Sequence, residues 1–191
     1  TKIQLGAELT EGLGAGSNPE MGRKAAEESI DKVKELLDAN TKMLFITAGM
    51  GGGTGTGAAP IIAEVAKEKD ILTVGVVTIP FSTEGGNRHE YAMQGLKDLR
   101  KHVDTLLVIN NDKLIEIYGD LTFTQAFAKA NEVLNTATKG IAEVISQHLL
   151  VNIDLNDARR VLENSGTAVM GQATASGENR AIEAVKEALD S

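Results

Sequence analysis

The run from Ile71 to Thr78 constrains the fold more than any other part of this sequence. It reads Ile-Leu-Thr-Val-Gly-Val-Val-Thr, which is rich in β-branched residues and contains no charge. A continuous run of this kind is typical of a strand buried on both faces, as in parallel sheets covered by helices on both sides. The run therefore predicts a central strand of an α/β fold.

Shorter runs of the same kind lie on either side of it. Met43–Ala48 and Asp104–Ile109 predict two further strands, and the segments Ala58–Lys69 and Asn87–His102 predict the helices between them. Strands that alternate with helices of about 10–20 residues form βαβ units with a mainly parallel sheet. We therefore expect a single three-layer α/β body, a Rossmann-related arrangement of a parallel sheet flanked by helices.

The remaining elements are predicted from caps and periodicity. Asn18 and Pro19 are a helix-start signal, and apolar residues spaced by three and four extend that helix to Leu37. Further predicted elements are a strand at Ile3–Leu5, helices at Lys113–Tyr118, Phe127–His148 and Ala158–Asn164, a strand within Thr167–Thr174 and a last helix at Glu178–Leu189.

Composition excludes several classes of function. The net charge of −8, from 27 acidic and 19 basic residues, argues against a non-specific nucleic-acid binder, which normally presents a basic face. The absence of Cys excludes disulfides, zinc thiolates and a cysteine nucleophile. No apolar run reaches the roughly 18–20 residues needed to span a bilayer, and no signal peptide opens the chain. We expect a cytoplasmic protein without direct membrane insertion and with no nucleic-acid partner.

The loop after the first of the three strand runs, Met43–Ala48, is the most unusual local sequence. Six glycines lie among the nine residues 49–57, at a cost in conformational entropy that an ordinary connection would avoid. Such a loop lets successive backbone N–H groups converge, and the following helix adds its positive dipole, so phosphate is the expected ligand. The candidate ligands are Gly51, Gly52, Gly53, Thr54, Gly55, Thr56 and Gly57. The alternative is a merely flexible loop.

Two other nucleotide-binding motifs can be compared with this loop. The Gly-Lys-Ser/Thr of a Walker loop is missing, which excludes ordinary P-loop chemistry. Gly53-x-Gly55-x-x-Ala58 matches the weak dinucleotide fingerprint, with Glu84 as a ribose acceptor, and suggests a nicotinamide-dependent oxidoreductase. The sequence shows no substrate domain and no positioned catalytic His or Lys for that activity.

Gly51 to Gly57, followed by Ala-Ala-Pro, resembles the phosphate loop of the tubulin/FtsZ family, and its bacterial branch more than tubulin. The resemblance extends over essentially the whole chain. It includes the segments Gly12–Pro19, Pro80–Gly85, Asn110–Asp112, Phe127–Leu134, Asn152–Asp157 and Gly177–Ala181. It implies a tubulin-like GTPase domain that binds GTP or GDP, with Mg²⁺ or another cation accompanying the nucleotide.

The resemblance also implies roles for individual residues. Gly14, Ala15 and Gly16 belong to a second phosphate-side loop. Glu84 accepts hydrogen bonds from the ribose hydroxyls, and Arg88 reaches the nucleotide from the same region and pairs with Glu84 when no ligand is bound. Asn111, Asn131 and Glu132 lie in the segments near the base. Without the resemblance, Glu84 and Arg88 would be read as a solvated ion pair and Asn131 as a surface residue.

Asn152, Asp154 and Asp157 resemble the family's catalytic loop. Asp154 and Asp157 are three residues apart, so a chain entering a helix there would point both carboxylates the same way. In the family this loop projects into the nucleotide pocket of the next subunit, where the acids position and polarise the attacking water or a nearby cation. The alternative is that Asp157 or Asn156 only caps the helix beginning at Ala158.

The resemblance implies a self-assembling cytoskeletal GTPase of bacterial cell division, located at the division site. Its expected partners are further copies of itself in a head-to-tail filament, and division adaptor proteins. We expect residues 1–177 to form the GTP-binding domain and residues 178–191 a terminal helix leading toward a C-terminal subdomain. The family's first glycine-rich loop is missing from the sequence, so a non-catalytic homologue acting as a scaffold or interaction module is the alternative.

Overall fold

The computed structural model describes residues 2–119, 121–147, 153–171 and 173–190. Their sheet has four parallel strands in the order β1-β2-β3-β4. These strands are β1 (Met43–Gly49), β2 (Leu72–Ile79), β3 (Thr105–Asn110) and β4 (Gly166–Thr167). The predicted parallel α/β architecture is confirmed, and β2, which contains most of the uncharged run predicted as a central strand, lies between β1 and β3.

Helices connect and cover the strands. They are α1 (Ala7–Thr10), α2 (Pro19–Glu28), α3 (Ile30–Leu36), α4 (Gly53–Glu68), α5 (Gly86–Arg100), α6 (Asn111–Tyr118), α7 (Phe123–Ser146), α8 (Leu155–Leu162) and α9 (Arg180–Asp190). A single 3₁₀ turn, Ser82–Glu84, lies between β2 and α5. None of the helices in the described part of the chain is long and apolar enough to cross a membrane.

The two faces of the sheet have separate cores, as the alternation of side chains along a strand requires. On one face, Val77 and Leu106 pack with Ala63 of α4 and Leu99 of α5. On the other face, Val74, Val76 and Leu107 pack with Ala137 of α7. Every residue of β2 from Leu72 to Thr78 is buried. The sheet is therefore the middle of three layers.

Helix α2 packs on α4, and the backbones of the two helices are almost in contact. A Cβ added to Gly22 would lie 2.1 Å from the Gly53 carbonyl oxygen, and one added to Gly57 would lie 1.9 Å from the Pro19 carbonyl oxygen. Distances this short leave no room for any side chain, so glycine is required at these positions for close approach. This contact holds the start of α2 beside the start of α4.

Helix α4 begins at Gly53, five residues before the predicted start at Ala58. Glycine is unfavourable in a helix by propensity, but the packing against α2 outweighs that penalty. Pro60 consequently lies in the helix interior, where it leaves the Thr56 carbonyl without its usual N–H partner, instead of in the first turn as expected.

Other predicted elements also need correction. The continuous helix predicted from Asn18 to Leu37 is broken at Ser29, whose buried hydroxyl accepts a hydrogen bond from the Gly6 N–H at 3.0 Å. Residues 3–5 form no strand. Within the predicted strand of residues 167–174, only Thr167 is assigned to β4, and residue 172 lies outside the described residues.

The contact between α2 and α4 can be tested by a single methyl group. Gly57→Ala should lower the free energy of unfolding by about 1–3 kcal/mol, because the added carbon overlaps the Pro19 carbonyl. Gly86→Ala is the matched control, since nothing lies within 4 Å of its added Cβ. Urea unfolding followed by circular dichroism measures both. Equal stability of the two variants would contradict the close contact.

Candidate functional site

The loops that the sequence singled out meet at one edge of the sheet, where β1, β2 and β3 end. We call it the carboxyl edge. A Cβ added to Gly51, after β1, would lie 3.1 Å from Pro80 Cγ and 2.7 Å from the Arg88 carbonyl oxygen. Ser82, after β2, is hydrogen-bonded to Asp112, after β3. Ligands of parallel α/β sheets bind at this edge.

The glycines of the motif have different structural roles. Gly51 has a φ of 95°, a conformation that favours glycine. Gly53, Gly55 and Gly57 are in close contact with neighbouring backbone, whereas a Cβ on Gly52 would meet nothing within 4 Å. The density of glycine thus serves helix packing as well as the turn of residues 50–52. Among these glycines, Gly52 combines partial exposure with open space around it.

The two threonines of the motif differ in the same way. Thr56 is buried, and its hydroxyl oxygen accepts a hydrogen bond from the Gly51 N–H at 2.8 Å, which closes the turn. Thr54 is exposed in the first turn of α4. The structure therefore leaves Thr54 free to meet a ligand and gives Thr56 a part in holding the loop.

The start of α4 presents unpaired backbone donors. No side chain caps this helix, and its N-cap is Gly52. The first N–H groups of an α-helix have no partner within the helix and carry a partial positive charge. No acidic residue lies in the first turn to neutralise them. The arrangement can bind an anion.

The glycine-rich loop of residues 12–18 lies against the start of α4. A Cβ on Gly53 would lie 2.7 Å from Ala15 Cβ and 2.9 Å from the backbone N and O of Asn18. Asn18 caps α2 as predicted, its side-chain oxygen accepting hydrogen bonds from the Glu20 and Met21 N–H groups at 3.0 and 3.4 Å. The loop glycines Gly12, Gly14 and Gly16 have positive φ and open space around them.

Glu84 and Arg88 form the predicted pair, with Arg88 Nη1 3.3 Å from Glu84 Oε2. The other oxygen, Glu84 Oε1, accepts a hydrogen bond from the Phe81 N–H at 2.9 Å. The Glu84 side chain is only 12% exposed, whereas that of Arg88 is 46% exposed. Glu84 is therefore fixed, and Arg88 is the more accessible partner.

The three base-side candidates have different surroundings. Asn111 is buried, and its side-chain oxygen has no hydrogen-bond partner among the described residues, an unusual state for a buried polar atom. Asn131 and Glu132 are exposed on α7. Glu132 is paired with Lys129, whose pKa is raised by its hydrogen bonds to that carboxylate. Of the three, Asn111 has the strongest requirement for a donor.

The acidic pair lies away from the carboxyl edge. Helix α8, which Asp154 opens, packs at the opposite edge of the sheet, where Arg159 donates to the Asp70 carbonyl oxygen at 2.9 Å and the Leu162 carbonyl accepts from Thr105 at 2.6 Å. Asp70 precedes β2, and Thr105 begins β3. Within one chain the acids are therefore at the other end of the sheet from the glycine motif.

Asp154 and Asp157 form a reciprocal cap. Asp154 Oδ1 accepts a hydrogen bond from the Asp157 N–H at 2.8 Å, and Asp157 Oδ2 accepts one from the Asp154 N–H at 3.3 Å. The N-cap is thus Asp154, not Asp157 or Asn156, and α8 starts three residues before the predicted Ala158. Both residues are exposed. The third candidate, Asn152, lies outside the described residues.

Sequence reasoning assigned no role to two groups that shape this site. Phe81 packs edge-on against Phe127 of α7, with ring centroids 5.2 Å apart, and Asp112 holds Ser82. The sequence signals for Phe81 and Asp112 are their positions just after strands and within two segments of the family resemblance. In the described ranges, no group of three or more His, Asp or Glu side chains could hold a metal ion.

Known proteins are similar to this chain in sequence and in fold. The chain matches the tubulin/FtsZ family, GTPase domain, over residues 1–119. It is 53% identical to the cell division protein FtsZ of Coxiella burnetii over 190 residues, which are 99% of this chain and 49% of that protein.

Two solved structures add to this match. An empty FtsZ dimer from M. jannaschii matches with a TM-score of 0.92 at 48% identity, covering 98% of this chain and 54% of that one. The GDP-bound monomer of CetZ1 from Haloferax volcanii matches with a TM-score of 0.72 at 27% identity, covering 88% of this chain and 50% of that one.

The chain therefore belongs to the tubulin/FtsZ family of GTPases. It spans about half the length of the curated relatives it matches. The resemblance seen in the sequence, and the fold that it implied, are confirmed.

The capping role of Asp154 can be separated from any role of its charge. Asp154→Ala should lower the free energy of unfolding by about 1 kcal/mol, since the Asp157 N–H loses its acceptor. Asp154→Asn should leave stability nearly unchanged, because asparagine caps as well as aspartate. Urea unfolding of both variants measures this. An equal loss in both would show that charge, and not the cap, stabilises α8.

Proposed function

We propose that this chain forms the GTP-binding part of a self-assembling GTPase of the FtsZ type. The observation that carries the proposal is the uncapped start of α4, which lies between the loop of residues 12–18 and the turn of residues 80–85. Family membership supports GTP or GDP as the ligand. The activity of the whole protein is part of the proposal, since the chain spans half of its relatives.

The phosphates are proposed to bind at the start of α4. Backbone N–H groups of Gly52 to Gly55 and the exposed hydroxyl of Thr54 supply donors, while Gly51, Thr56 and Gly57 shape the turn around them. Gly14, Ala15 and Gly16 close the other side. The described residues offer no ready metal cluster, so a cation such as Mg²⁺ would be held mainly by the phosphate oxygens.

The nucleoside is proposed to lie beyond this point along the carboxyl edge. Glu84 accepts hydrogen bonds from ribose hydroxyls, with Arg88 moving aside or contacting the phosphates. Asn111 supplies an unpaired oxygen, and a guanine edge carries N–H donors that suit it. Asn131 and Glu132 add further polar contacts from α7. Adenine has only its N6 amino group as a donor and lacks the N2 amino group of guanine, so it matches this acceptor less well.

Hydrolysis is proposed to need two subunits. The acidic pair lies at the opposite edge of the sheet from the glycine motif, so it meets a nucleotide only across a head-to-tail contact. There Asp154 and Asp157, with Asn152, would orient and polarise the attacking water. Positioning the water and stabilising charge are the main requirements for hydrolysis of a phosphoryl group. One oxygen of each Asp carboxylate is not used in the cap. The dimer of the M. jannaschii FtsZ supports self-association.

The cellular setting is proposed from the relatives. Proteins named for cell division at about 50% identity suggest a cytoplasmic protein that acts at the division site with adaptor proteins. We propose residues 1–177 as the nucleotide-binding domain and residues 178–191 as the helix leading toward a C-terminal subdomain. The alternative, a non-catalytic scaffold, predicts no binding of guanine nucleotides.

Guanine recognition can be tested at the unpaired amide. Asn111→Leu removes the acceptor while keeping the branched shape of the side chain, and the Kd for GTP should rise by about tenfold or more. The control is Asn40→Leu, an exposed residue before β1. Isothermal titration of the protein at its natural length with GTP, GDP and ATP measures the effect. No binding of GTP by the unmodified protein would favour the scaffold alternative.

Shared catalysis can be tested by mixing variants. Asp154→Asn keeps the cap, so it should fold and bind GTP but hydrolyse it very slowly. At a GTP concentration that fills the intact pocket but not that of Asn111→Leu, a mixture of the two variants should be more active than the average of its components, because about one quarter of random head-to-tail contacts then join an intact pocket to an intact acidic loop. GTP hydrolysis is measured against protein concentration and should rise more than linearly. A mixture no more active than the average of its components would contradict the shared site.

A further inference from the structure

The segment after β3 is tied to the turn after β2 by one side chain. Asp112 Oδ1 accepts hydrogen bonds from the Ser82 N–H at 3.0 Å and from the Ser82 hydroxyl at 3.3 Å. Asp112 is itself held in place, because its backbone N–H donates to Asn110 Oδ1 at 3.0 Å. The link joins two loops that are 30 residues apart in the chain.

The turn that Asp112 holds is too short to be rigid by itself. Residues 82–84 form one 3₁₀ turn, closed by a hydrogen bond from the Glu84 N–H to the Phe81 carbonyl at 2.9 Å and a longer one from Gly85 to Ser82 at 3.4 Å. Turns of this length have poor hydrogen-bond geometry. Contacts from outside therefore add to the hydrogen bond from the Phe81 N–H to Glu84 Oε1 in fixing the position of Glu84.

Two outside contacts meet this need from different sides. The Phe81 ring is buried against Phe127 of α7, which fixes the start of the turn. Asp112 fixes the next residue, Ser82, through both its backbone and its side chain. Because the carboxylate is charged, its hydrogen bonds are stronger than those of a neutral acceptor. The two anchors leave the Glu84 side chain little freedom.

We infer that Asp112 is a positioning residue for ribose recognition. It fixes the turn bearing Glu84 relative to the neighbouring Asn111. The distance between Glu84, at the sugar, and Asn111, at the base, is thereby held constant. This inference rests on the proposed function. Asp112 itself does not contact the nucleotide in the proposed site, and its effect passes through Ser82 and the turn to Glu84.

The inference predicts a selective defect rather than a general loss of affinity. The protein at its natural length is titrated with GTP and with 2′,3′-dideoxy-GTP, which lacks both ribose hydroxyls. The unmodified protein should bind GTP more tightly than 2′,3′-dideoxy-GTP. In Asp112→Ala the ratio of the Kd for 2′,3′-dideoxy-GTP to the Kd for GTP should fall by about tenfold. This is the change expected when one charge-assisted hydrogen bond to the ribose is no longer aligned.

Two further variants make the test specific. Asp112→Asn keeps an oxygen acceptor for Ser82 and should retain most of the ratio. Asp38→Ala is the matched control, because Asp38 Oδ1 likewise accepts from backbone N–H groups and a hydroxyl, those of Asn40 and Thr41, in the turn before β1. Its ratio should not change.

The outcomes separate the inference from the function on which it rests. If Asp112→Ala weakens the binding of both nucleotides equally, or of neither, Asp112 has no part in ribose recognition and the inference is wrong. If the unmodified protein binds no GTP, the proposed function fails instead. A double variant with Glu84→Ala should show no further fall in the ratio beyond that of Glu84→Ala alone.

Discussion

The contact between the backbones of α2 and α4 is the constraint on which the rest of the site depends. Gly22, Gly53 and Gly57 let the two helices approach until carbonyl oxygens occupy the space of side chains. That approach sets the residues 12–18 against the first turn of α4, and it allows this helix to begin inside the glycine motif. Two glycine-rich loops, far apart in the chain, thereby converge on one row of unpaired N–H groups.

The parallel sheet then places the glycine-rich loops and the acidic pair at its two opposite ends. Loops that follow β1, β2 and β3 must lie at the carboxyl edge, while the helix opened by Asp154 packs against the strand starts. A nucleotide at the first edge cannot meet the acids of its own chain. In the proposed mechanism this distance makes assembly part of the chemistry, since only a neighbouring subunit can bring the two together.

Much of this was predictable from local patterns, and the errors have identifiable causes. The three main strands, the cap at Asn18 and the pairing of Glu84 with Arg88 follow from short-range spacing. The break at Ser29 was missed because its partner, Gly6, is 23 residues away. The early start of α4 was missed because propensity disfavours glycine in helices, and packing against α2 outweighs it.

The sequence by itself determined the three main strands with the helices between them, the family and the loops that lie at the carboxyl edge, because these follow from periodicity, caps and motifs within a few residues. Only the tertiary structure decided which motif residues stay exposed. It buried Thr56 and left Thr54 accessible, enclosed the Asn111 side-chain oxygen with no hydrogen-bond partner in the described part of the chain, and joined Ser82 to Asp112. The physical reason is that burial and pairing depend on segments brought together by the folded sheet, and a linear pattern carries no record of those contacts.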